Sequence, residues 1–193
     1  MIVIDNYLDD MFFFVCIALP FVFIWRFLRW RKRGFDLKES LHELGILLLV
    51  LVLIGVFSQT IIPRNGLIRP TISNVNFELF RVFRETFNAI KYLGFWQPFY
   101  INFLGNIILF IPIGFLFPLL SKRMEHFPYP VIVGLCISLF IEITQLPQNR
   151  SSDVDDLWLN TLGALIGYLL YLLINKRFLK LTEAFKRLKE RSL

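Results

Sequence analysis

Long apolar runs separated by short polar turns set the pattern of this chain. The first runs from about Met11 to Leu28, with Pro20 inside it as a predicted kink, and Arg26, Arg29, Trp30, Arg31, Lys32 and Arg33 mark its exit. A second run covers about 41–62; Ser40 with Glu43 three residues on has the form of a capping box opening it. Further runs cover about 100–120, 130–146 and 154–175. Each approaches the roughly 20 residues that a helix needs to cross a bilayer, so the pattern predicts an all-α bundle of about five transmembrane helices.

The longest connection, Pro63 to Pro98, is more than a loop. Phe77, Phe80, Phe83, Phe87 and Ile90 fall near helical spacing, and Arg81, Arg84, Glu85, Asn88 and Lys91 lie between them. This predicts an amphipathic helix in the outer interface, or one covering the bundle, with Trp96, Phe99 and Tyr100 as an aromatic belt beside it. After the last span, Phe178, Leu181, Phe185 and Leu188 alternate with Lys180, Lys186, Arg187, Lys189 and Arg191. Residues 176–193 therefore read as a basic amphipathic tail on an anionic inner leaflet.

Composition agrees. Of 193 residues 56% are hydrophobic, and mean hydropathy is +0.60, too apolar for an ordinary soluble domain. The formal charge of +6 reports orientation rather than nucleic-acid binding. With the N-terminus outside and the C-terminus cytoplasmic, about fifteen Lys and Arg fall inside and about six outside. The acidic start (Asp5, Asp9, Asp10) lacks a basic n-region, so a cleavable signal peptide is not expected. Cys16 and Cys136 sit in apolar runs as small hydrophobes, with no disulfide or metal spacing. Nothing marks a second domain.

Against this background a few polar residues stand out. Ionisable and strongly polar groups in spans are expensive and are functional candidates by default. Asn102 and Asn106 share one helix face, as do Glu142 and Gln145, and Asp156 and Asn160. At 1.5 Å per residue, Asn106 lies about 10 Å and Glu142 about 6 Å below the outer surface, with Asn160 one turn below Asp156. Three helices thus bring Asn106, Glu142, Gln145, Asp156 and Asn160 to one level. Asn and Gln also serve as interhelical glue, and Gly163, Ala164 and Gly167 form a small-residue packing stripe. Glu142 is distinct: at that depth it needs a proton, a cation such as Arg150, or a wet pocket.

Asp153, Asp155 and Asp156 open the last span, where a carboxylate suits both the cap and the dipole. No fixed spacing among them supports a metal, and no cofactor is expected. His42 and His126 fall at the other side, and Ser151 and Ser152 have no histidine near them in sequence. No phosphate-cradling glycine loop appears.

These residues resemble a known family. Asn106-Ile-Ile-Leu-Phe-Ile-Pro-Ile-Gly114, then Ile141-Glu-Ile-Thr-Gln145, Arg150, and Asp153-Val-Asp-Asp-Leu-Trp-Leu-Asn160-Thr-Leu-Gly163 are similar to the signature of the VanZ-like membrane proteins. The likeness spans roughly 72–173. Asn76-Phe-Glu-Leu-Phe-Arg81 is similar to a further family segment but lacks its proline. The resemblance implies a multi-pass protein of the bacterial cytoplasmic membrane and a setting in low-level resistance to teicoplanin, a glycopeptide that binds cell-wall precursors. It implies no reaction. Its signature positions here are Asn106, Glu142, Gln145, Arg150, Asp153, Asp156 and Asn160.

The expected function is recognition of an envelope amphiphile in an outward-facing polar pocket: a lipoglycopeptide, a lipid-linked wall precursor or a polyprenyl phosphate. Arg64, Arg69, Arg81, Arg84 and Arg150 are candidates to meet a phosphate. An enzyme using Glu142 with Asp153 or Asp156 as an acid/base pair is the alternative, and a non-catalytic scaffold the third. The expected partners are membrane lipids and such a precursor, not nucleic acid; the sequence leaves the oligomeric state open.

Overall fold

The computed structural model describes residues 2–33, 36–60, 75–76, 78–147 and 152–186. Its long helices are α1 (Ile2–Arg33), α2 (Leu37–Thr60), α4 (Gly105–Leu120), α5 (Tyr129–Gln145) and α6 (Val154–Arg177). Two shorter ones, α3 (Arg81–Leu93) and α7 (Leu179–Ala184), complete an all-helical architecture. A π-helical turn, Phe99–Leu104, leads into α4. By length and composition four stretches can cross a membrane: Met11–Lys32, Leu37–Thr60, Phe99–Leu120 and Val154–Arg177. The remaining expected span, α5, has only 17 residues, about 26 Å at 1.5 Å per residue and short of a hydrocarbon core of about 30 Å.

Helix α4 is the axis. Its Phe110 and Ile113 pack with Val56 of α2 and Ile141 of α5, and its Leu116 and Leu119 with Tyr168 and Tyr171 of α6. Apolar contact alone does not drive helices together in lipid, so close backbone approach matters more. Here it comes from glycine: a Cβ at Gly163 or Gly167 would run into the α4 backbone at Ile107 or Ile111, and one at Gly114 into Ala164. The small-residue stripe read from the sequence therefore lies in the α4–α6 contact. Outward positions such as Phe12, Phe21, Leu139 and Ile143 remain exposed, as a lipid-facing surface requires.

Local signals fared less evenly. Helix α1 is continuous through Pro20. The capping box does not form, because α2 begins at Leu37, upstream of Ser40. Ser40 instead accepts from the Trp30 indole (3.0 Å) and donates to the Asp36 carbonyl (2.8 Å), while Glu43 pairs with buried Arg26 of α1. In the tail, Phe178, Leu179 and Leu181 are exposed, but Lys186 is only 2% exposed. It reaches Glu125 after α4 and Glu183 of α7, and His42 donates to the Phe185 carbonyl at 2.7 Å. This part of the tail is pinned to the bundle by a long-range ion pair that periodicity cannot reveal.

Candidate functional site

The far end of the bundle gathers the carboxylates. A two-residue parallel bridge pairs Val75 with Ser152 and Asn76 with Asp153. The Asn76 amide donates to both oxygens of Asp153 at 2.9 Å. Asp153 also caps α6, accepting from the Asp155 backbone N–H at 3.0 Å. Its carboxylate is thereby committed to holding two segments in register.

Among the described residues Asp155 is the most deeply placed ionisable group, at 0% exposure. It accepts from the backbone N–H groups of Phe80 and Val82, both at 2.7 Å, and from the Trp158 indole at 2.8 Å. Phe80, in the left-handed region at φ 64, precedes α3 and gives it no side-chain cap. A carboxylate from α6 thus supplies the N-terminal acceptor that local sequence omits, and the α3 dipole favours that negative charge. Helix α3 then buries Val82 and Thr86 and leaves Phe83 and Phe87 exposed, ending at Gly94 with φ 63. The amphipathic helix is present, with its aromatic edge outward and an aromatic chain, Phe80 to Trp158 and Phe83 to Phe103, tying its base to the bundle.

The predicted layer lies just beneath. Asn106 donates to Asp156 at 2.6 Å, joining α4 to α6. Glu142 accepts from the Asp153 backbone N–H at 3.1 Å, joining α5 to the start of α6. Gln145 donates to the Thr60 carbonyl at 2.9 Å, and Asn160 donates to Ser138 at 2.9 Å. Glu142, Gln145 and Asn160 are buried, while Asn106 and Asp156 are half-buried at the edge. Asn102 departs from expectation: it sits in the π turn, is exposed, and contributes its carbonyl to Asn106 at 2.9 Å. Ser138, four residues before Glu142, was missed as a partner although it shares that face.

The arrangement is rich in acceptors. Asn160 is 4% exposed, and its Oδ1 has no donor among the described residues. Arg150, Arg64 and Arg69 lie outside the described residues. Arg81 and Arg84 instead bond their exposed neighbours Glu85 and Glu78, each at 2.5 Å. The hydrogen bond from Arg84 holds the Glu78 carboxyl below its ordinary range. As acid/base groups, Asp153 and Asp155 are poorly placed because their oxygens already serve caps; Glu142 and Asp156 stand in the layer itself.

No curated protein and no solved structure matches the chain. The sequence model of the family described as VanZ/LLP1 matches residues 43–175. That range covers most of the chain and includes the three helices of the layer and Asp155 beneath α3, so this membrane protein belongs to the VanZ/LLP1 family.

Proposed function

We propose that the protein is a multi-pass component of the bacterial cytoplasmic membrane that binds an envelope amphiphile at its carboxylate-rich end, taken as the outer one. The ligand class is a teicoplanin-type lipoglycopeptide or a lipid-linked wall precursor, in the setting of glycopeptide resistance. The observation that carries this reading is the buried Asn160 Oδ1, which has no donor among the described residues. A buried acceptor left so costs about 1–3 kcal/mol, and a leucine of similar size would avoid it. The oxygen is closed off in this structure, so a ligand hydroxyl or amide N–H would supply the donor once the layer opens to admit it.

The surrounding groups favour the same chemistry. Glu142, Asp156 and Asn160 offer oxygens, which suit the hydroxyls and N–H groups of sugars and peptides better than a bare phosphate. Exposed Phe83, Phe87 and Trp96 at this end provide an apolar surface for the lipid part.

The test is a binding titration of a teicoplanin-type lipoglycopeptide and of a lipid-linked disaccharide-peptide precursor to protein in nanodiscs. Asn160→Leu made together with Ser138→Ala, which removes both partners of their buried bond, should keep its thermal stability yet bind roughly tenfold more weakly, the loss of about one good hydrogen bond. Glu142→Gln retains an acceptor for the Asp153 N–H and should also fold while binding less well. Wild-type affinity for both ligands in both folded variants would leave the layer as packing polarity and remove the reading.

A further inference from the structure

Helix α3 meets its surroundings along three adjacent stripes. Val82 and Thr86 face the bundle and are buried. Phe83, Phe87 and Ile90 form the next row, and both phenylalanines are exposed. Beyond them Arg84, Asn88 and Lys91 form a polar row, exposed throughout. A helix that only covers the bundle needs the first stripe and the third. The aromatic row between them is left for something else.

The depth of that row follows from the spans on which α3 is seated. Val82 packs in one cluster with Ile107 and Leu159, and Phe83 meets Phe103 with ring centroids 6.3 Å apart. Counted from the starts of the stretches Phe99–Leu120 and Val154–Arg177, Ile107 lies about 12 Å and Leu159 about 8 Å along the helix, at 1.5 Å per residue. At its other end α3 stops at Gly94, and Trp96 meets Phe99 at 6.2 Å, level with the start of that span. Both ends therefore fall within about 12 Å of the apolar boundary, whereas 13 residues of helix are about 20 Å long. Helix α3 runs along the boundary more than across it, with its first turn below the start of the spans.

We infer that the Phe83–Phe87 edge of α3 is seated in the bilayer itself, against the acyl chains of the leaflet at the carboxylate-rich end. Arg84, Asn88 and Lys91 then lie among the head groups. An interfacial helix sinks its apolar face by about 5–10 Å, close to the depth that the contacts with Leu159 and Ile107 impose. Exposed Trp96 and Tyr100, with centroids 6.4 Å apart, carry the aromatic row on to the head of the next span, where such rings suit the interface. Charge adds little. Arg81 and Arg84 are bonded to Glu85 and Glu78, and only Lys91, lying over the rings of Phe87 and Tyr92, leaves 75–98 with an excess cation. The partner is accordingly the apolar part of the lipid, whatever its head group. A second copy is the competing occupant; a two-fold contact through this edge would set the Lys91 ammonium beside Phe87 against its own copy.

The test is electron paramagnetic resonance of the full chain in phosphatidylcholine vesicles without ligand. A nitroxide is placed in turn by Phe83→Cys, Phe87→Cys, Arg84→Cys and Asn88→Cys in a Cys16→Ala/Cys136→Ala background. Labels at 83 and 87 should collide with oxygen and lose contact with a water-soluble nickel chelate, at a depth of about 5–10 Å. Labels at 84 and 88 should show the reverse preference. Nickel contact at 83 and 87 equal to that at 88 would overturn the inference, because the edge would then face water. Labels at 87 that are shielded from both reagents and broadened by a second label would overturn it in favour of a second copy. Adding phosphatidylglycerol should leave the depth unchanged; a row that sinks only in anionic vesicles would refute the apolar basis. No ligand is present, so none of these results bears on binding at the polar layer.

Discussion

The two ends of the bundle hold buried charge in opposite ways. At one, Asp155 is enclosed completely and satisfied by three neutral N–H donors: Phe80 just before α3, Val82 in its first turn, and the Trp158 indole. At the other, Lys186 is enclosed almost as fully and satisfied by the carboxylates of Glu125 and Glu183. Backbone donors have fixed directions and no titration of their own, so the Asp155 site specifies geometry. Counter-charges on longer side chains are partly exposed and screened, so the Lys186 site works as a latch that conditions can release. The polar layer of α4, α5 and α6 lies beside Asp155 and shares the rigid arrangement there.

The sharpest way to break this contrast is Asp155→Ala. Three donors lose their acceptor at once, the Val82 N–H fully buried and the Phe80 N–H and Trp158 indole partly so, and a loss of about 3 kcal/mol is expected at about 1 kcal/mol or more each. It should appear as a lower thermal midpoint and as fast hydrogen exchange confined first to 80–93; unchanged protection there would mean that Asp155 does not cap α3. Lys186→Met should cost less, about 1 kcal/mol, because Glu125 and Glu183 are partly open to water.

The pH response of the latch has a definite sign. Burial works to lower the Lys186 ammonium, but its hydrogen bonds to Glu125, Glu183 and Tyr171 outweigh it and hold the group above the ordinary lysine value. Its contribution is therefore complete below that ordinary value and lost only as pH rises through the elevated one. Glu183 is held below its ordinary value by the hydrogen bond from Lys186, so its share is present above about 4.5 and lost as pH falls through the lowered value. Hydrogen exchange at 179–186 should rise at both extremes in wild type and be nearly flat in Lys186→Met. The smallest effect belongs to Arg84→Gln: its bond to Glu78 is fully exposed, and the thermal midpoint should not move measurably.

Much of this was legible in advance, and the limits have physical causes. Apolar runs report spans because lipid demands continuous hydrophobic helix, and depth arithmetic placed Asn106, Glu142, Asp156 and Asn160 at one level. Asn102 meets Asn106 through its backbone carbonyl, one turn away, while its own side chain is exposed. Ser40 and Glu43 matched a capping motif, but a buried arginine on the preceding helix took the glutamate. Asp155 and Asp156 are adjacent and chemically alike, yet one fastens α3 and the other joins the layer. Which is which depends on partners about 75 and 50 residues away, and no local pattern carries that.

That separation also has a consequence in time. The acceptor for the start of α3 is made 75 residues after Phe80. At 5–20 residues per second of synthesis, α3 waits roughly 4–15 s for its cap. During biosynthesis the helix must therefore be emitted with its first N–H groups unclaimed, and it reaches its seat only when α6 has been delivered. Completion of the carboxylate-rich end is accordingly among the last events of assembly, after α4 and α5 have already been made.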